Sequence, residues 1–152
     1  MKKESTMHKL FTYAGSYKYL TIASWILSAA SALIALLPFY YIWRIMREVV
    51  MAAPDYSKAQ NLSVLGWSAV GYALLSMIIY ICALLCSHIA AFHVQANMRS
   101  TLMRHILTLP MGFMDSEGSG KIRKIVNEST AATETYLAHQ MPDKAGAMAT
   151  PV

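Results

Sequence analysis

Lys58-AQNLSVLGWSAVGYALLSMIIYICALLCSHIAAFHVQANMRSTLMRHILTL-Pro110 is the stretch whose reading decides the fold. It carries no charged residue from Ala59 to Met98, then continues with helical spacing through Arg99, Leu102, Arg104, Ile106 and Leu109 until Pro110 ends it. At 1.5 Å per residue the uncharged part alone makes a helix of roughly 60 Å, about twice the ~30 Å of a hydrocarbon core. A helix of that length leaves the bilayer while still a helix. The segment beyond it, Met111 to Lys121, is therefore carried at the tip of a long arm.

Composition agrees with a membrane protein. Hydrophobic residues make up 56% of the 152-residue chain and charged residues 14%, against the ~25% charged of a soluble domain; mean hydropathy is +0.38. The net charge of +5 flanks apolar runs and reads as a topology signal, so nucleic acid is not an expected partner. Cys82 and Cys86 lie one turn apart inside the apolar run and read as small hydrophobes.

Outward from the long helix, residues 1–19 carry Lys2, Lys3, Lys9 and Lys18 with Leu10, Tyr13, Ala14 and Tyr17 at helical spacing, a pattern for a cytoplasmic interfacial helix. A signal peptide would show an apolar core of 7 to 15 residues, whereas Leu20 to Trp43 has 24 and reads as the first span. Ser24, Ser28 and Ala32, with Ser31 and Ala35 beside them, form a ridge of small side chains suited to close helix packing. Pro38 predicts an irregularity near the outer end. Arg44 to Lys58, broken by Pro54, is expected as a short polar connection.

The second span is expected at about 61–90, with Gly66, Ala69, Ala73 and Ser76 offered for helix contact and a cytoplasmic extension to 109. Three Lys/Arg lie between the two spans and ten lie outside that connection, so both ends are expected in the cytoplasm. A loop at 110–121 and a third long helix over 122–141 follow, the latter from Ile122, Ile125, Val126, Ser129, Thr133, Tyr136 and Leu137, antiparallel to the long helix. After Pro142 ten residues remain, too few for another crossing. Residues 20–152 thus read as part of an all-α membrane domain.

Catalytic motifs fail on spacing. Gly118-Ser119-Gly120-Lys121 ends like a phosphate-binding loop, but Asp115 stands where the first Gly belongs and Ile122 where Ser or Thr belongs. His88 and His93 are five residues apart, poorly placed on one face, and Cys86 does not complete a metal set. No catalytic, cofactor-binding or metal residue is assigned.

The run Arg99, Leu102, His105, Ile106, Leu107, Leu109, Pro110, Phe113, Asp115, Gly120, Lys121, Ile122 and Asn127 resembles the first intracellular loop of ABC transporters with the exporter-type transmembrane fold, and the layout of the whole chain is similar too. That resemblance implies that Asp115, Ser116, Glu117, Gly118, Ser119, Gly120 and Lys121 form a coupling helix seated on an ATP-binding domain. Glu117 and Lys121 stand at i, i+4 and the two glycines permit close backbone approach, as such a seat requires. It further implies partners beyond this chain: the membrane, an ABC nucleotide-binding domain holding ATP and Mg, and a second transporter half, identical or not, in the plasma membrane. Spans three to six and the nucleotide-binding domain are missing, so the chain looks like a fragment of such a transporter. The stretch His139 to Gly146 is similar to a subgroup that imports iron-chelate compounds, and assigns no substrate. A complete two-span protein, a pore former or assembly subunit, is the alternative; it accounts for the length but not for a helix twice the bilayer thickness.

Overall fold

The computed structural model describes residues 12–55, 61–110, 112 and 118–150. Among them there is no strand. After a 3₁₀ turn at Gly15–Tyr17, the elements are α1 (Lys18–Ile34), α2 (Leu37–Ala52), α3 (Leu62–Leu107), α4 (Ser119–Thr135), a π-helical turn at Tyr136–Gln140, and α5 (Met141–Ala149).

Polarity is inverted relative to a soluble bundle. Along α1 the buried residues are Thr21, Ser24, Ser28 and Ser31, whose spacing of three and four makes one stripe. Ser24 is 0% exposed while Phe39 and Trp67 are 69% and 76% exposed. Large apolar side chains outside and small polar ones inside are what a lipid solvent selects, because helix contact there comes from close packing and interhelical hydrogen bonds.

Proline positions set the helix ends. Pro38 has no N–H for the Ile34 carbonyl, and α1 ends at Ile34, with α2 resuming one turn later through Leu36 N–H donating to Leu33 O (3.2 Å). The connection expected at Arg44 to Lys58 is instead helical as far as Ala52. Arg44, Arg47 and Glu48 are good helix formers, and no Gly or Pro intervenes before Pro54, which holds Ala53 extended (φ −61°, ψ 137°). Polarity marked where the lipid ends, not where the helix ends. The part of that expectation at 56–60 lies outside the described residues.

α3 is 46 residues long, roughly 69 Å. Its buried residues Ser76, Ala83, Ser87, Ala90, Ala91 and Val94 follow one face. Ser31 Oγ donates to Ser76 O (3.0 Å), locking α1 to α3 through their small residues. Gly66, by contrast, has nothing within 4 Å of where a Cβ would be, so it makes no helix contact among the described residues.

α4, the π turn and α5 return along α3. Arg99 and Asn127 line one cleft, Ser87 meets Ala138 and Tyr80 meets Asp143, a register that runs in opposite directions on the two strands of helix. The helical path continues past Pro142, which lies in the first turn of α5. Its missing N–H frees carbonyls one turn back, and Ser87 Oγ donates to Leu137 O (2.8 Å) and Ala138 O (2.9 Å). Ser28 Oγ donates to Pro142 O at 2.7 Å. Two serines from two other helices thus stabilise the proline-containing turn.

Removing this hydroxyl should cost about 0.6 kcal/mol, up to ~1.7, the measured range for side-chain hydrogen bonds in membranes. Ser87→Ala is expected to lower the unfolding midpoint of the purified protein. Ser68→Ala, whose hydroxyl only bonds Val64 O in its own helix, should leave it unchanged. Equal midpoints for both variants would remove the support assigned to Ser87.

Candidate functional site

The arm begins where α3 passes its last large exposed apolar residue of the belt, Phe92. At that level Tyr17 stacks on His93 with ring centroids 3.6 Å apart, and Asn97 Nδ2 donates to Tyr13 O (2.9 Å). Ala14, Ala91, Val94, Leu137 and Ala138 form a buried cluster there, with Tyr13 and Met98 packed on it. The segment before α1, α3 and the π turn therefore meet at one neck. His93 and Asn97 at i, i+4 beside Val94 and Met98 are a sequence signal for such a contact, one that periodicity of apolar residues alone passes over.

His88 and His93 do not converge on one ligand. His93 faces Tyr17, whereas His88 lies edge-on to His139, with centroids 4.8 Å apart. Among the described residues no group of three metal-ligating side chains occurs.

Beyond the neck, α3 and α4 run side by side around a cleft of about 380 Å³ lined by Arg99, Met103, Ile106, Ile122, Val126 and Asn127, among others. Met103, Ile106, Ile122 and Val126 supply an apolar floor, so the overhanging arm is two helices thick. Arg104 and His105 fall in the last turn of α3, where a cation faces the negative end of the helix dipole. Thr108 Oγ1 donates to His105 O (2.7 Å) and Leu109 N–H to Ile106 O (3.1 Å), satisfying carbonyls that Pro110 cannot.

Of the residues named for the coupling segment, Asp115, Ser116 and Glu117 lie outside the described residues. Gly118 is the N-cap of α4 at φ 74°, ψ 134°, a backbone conformation that favours glycine. Ser119, Gly120 and Lys121 form the exposed first turn of α4, so that helix begins earlier than Ile122. Among the described residues no atom lies within 4 Å of a Cβ built on Gly120.

The family model for the ABC transporter transmembrane region matches residues 21–152. The chain belongs to this family. Among curated proteins, this ABC transporter transmembrane region is 29% identical over 131 residues to the mycobactin import ATP-binding/permease protein IrtA of Mycobacterium tuberculosis, and 28% and 25% identical to the proteins of the same name from Mycolicibacterium thermoresistibile and Mycolicibacterium smegmatis. Each alignment covers 86% of this chain but only 14% to 15% of the relative, so the chain spans about one seventh of the length of these relatives. No solved structure matches. The chain is thus a membrane protein of the ABC transporter class, and the two-span alternative is not favoured.

Proposed function

We propose that this chain contributes part of the translocation pathway and the first coupling segment of an ATP-driven transporter. One observation carries the reading: α3 is more than twice as long as the ~30 Å hydrocarbon core of a bilayer, and its overhang is braced by α4 rather than left as a single helix. A braced helix transmits a displacement at its tip as a rigid body. In this reading residues 115–121 seat on an ABC nucleotide-binding domain that holds ATP and Mg, and closure of two such domains rocks the arm about the neck. A second transporter half, identical or not, completes the pathway. The protein is multi-pass in the plasma membrane with its N-terminus in the cytoplasm. The relatives' names make mycobactin the first compound to assay for transport.

Orientation is tested by single cysteines in a background lacking Cys82 and Cys86, labelled in intact cells with a membrane-impermeant thiol reagent. Position 57 should label and position 116 should not until the membrane is permeabilised, as the distribution of Lys and Arg requires. Labelling at 116 in intact cells, or its absence at 57, would defeat the orientation.

A further inference from the structure

We infer that Asp143 is an intramembrane carboxylate forming, with Tyr80, a binding pocket for a cationic group of the transported compound. The inference rests on the transporter reading above. Tyr80 Oη donates to Asp143 Oδ1 at 3.1 Å, bridging α3 and α5. Both residues line a pocket of about 270 Å³ with Ser28, Ser31, Ala32 and Gly146.

Depth is fixed by the apolar belt. On α3 large exposed apolar residues are closely spaced from Val64 to Phe92 and recur beyond the first charge, Arg99, only at Met103 and Leu107; Tyr80 stands roughly 24 Å along the axis from Val64 and 18 Å from Phe92. Asp143 is held at that level, and Pro142 beside it is held to Ser28, near the middle of α1. The carboxylate therefore lies close to the middle of the hydrocarbon layer, which places Lys144 and the rest of α5 within the membrane and not in the cytoplasm where the Lys/Arg distribution predicts the C-terminal end. Insertion scales give a cost of about 2.5–3.5 kcal/mol for a charge at that depth, so ionisable side chains there mark ligand or ion pathways.

The pocket's hydroxyls are already used. Ser28 donates to Pro142 O and Ser31 to Ser76 O, leaving the Asp143 carboxylate, which Tyr80 engages at Oδ1 alone, as the acceptor lining the cavity. Among the described residues no Lys or Arg pairs with it. Lys144, its neighbour, is turned about the helix toward Tyr136, with Nζ 5.3 Å from the ring centroid. His139 is engaged with His88. Asp143 is exposed on this chain, so the carboxylate can be reached from the cavity. A negative group at mid-membrane depth, with one neutral hydrogen-bond donor and its neighbouring cation Lys144 engaged on the Tyr136 ring, favours positive charge in the cavity.

Tetraphenylphosphonium, a lipophilic cation, is the probe, measured by equilibrium dialysis against the purified intact transporter. Asp143→Asn, nearly isosteric, should weaken binding by about tenfold or more, while Asp143→Glu should stay within about threefold. Asp143 should also react with the apolar reagent dicyclohexylcarbodiimide, and the probe should protect it. Equal binding by wild type and Asp143→Asn overturns the inference, as does no binding by wild type. So does modification by a water-soluble carbodiimide in preference to the apolar one. Orientation is read separately from labelling at 57 and 116, so a failure there with Asp143 still protected indicts the topology and not the pocket.

Discussion

In the intact transporter proposed for this chain, Gly120→Trp is expected to reduce transport by about tenfold or more while leaving the assembly folded and its nucleotide-binding domain able to bind ATP. Gly120 sits in the exposed first turn of α4 with no atom of the described residues within 4 Å of a Cβ position, so a side chain there starts into open space among those residues. Within a helix, replacing Gly removes a propensity cost, and an exposed substitution away from an interface stays within about ±0.5 kcal/mol of wild type. Lost transport in a stable protein then means that the indole occupies space belonging to another domain. Transport and thermal unfolding measured on the same preparations separate the two effects. Ser57→Trp, placed in the outer connection by the charge distribution, is the control and should be nearly silent. Normal transport by Gly120→Trp would mean that the tip of the arm is a solvated turn.

The largest stability effect is expected at another glycine. A Cβ on Gly146 would stand 3.1 Å from Ser28 Oγ and 3.9 Å from Ala32 Cβ, so α5 approaches α1 about as closely as two backbones can with a serine between them. Gly146→Leu overpacks this contact, at about 1–3 kcal/mol. It also pushes Ser28 away from Pro142 O, a bond in the ~0.6–1.7 kcal/mol range. Helix propensity returns about 0.8 kcal/mol, leaving a net loss of about 1–4 kcal/mol. Gly66→Leu gains the same propensity and meets open space, so its unfolding midpoint in detergent should equal or exceed that of wild type. Equal losses in both variants would show that α1 and α5 do not pack through Gly146.

What was legible in the chain and what was not divides at the range of the interaction involved. The uncharged run from Ala59 to Met98 and the stop at Pro110 determine α3, because a helix is a local object whose length follows from hydropathy and proline position. The serine stripe of α1 likewise follows from spacing. The charged stretch after Trp43 misled, since charge reports the solvent and not the backbone; Pro54, ten residues later, ends α2. At the candidate site, the arm and the family resemblance were readable from residues 99–127, whereas the neck was not: Tyr13 and Tyr17 lie 84 and 76 residues from Asn97 and His93. By itself the sequence determined two apolar helices, the second longer than a membrane is thick, and a segment hung beyond it. Only the tertiary structure decided that Ser87 would satisfy the carbonyls freed by Pro142 and that Asp143 would meet Tyr80. Each partnership depends on the register of α4 and α5 against α3, and that register is set by the packing of small side chains far apart in sequence, which no local periodicity records.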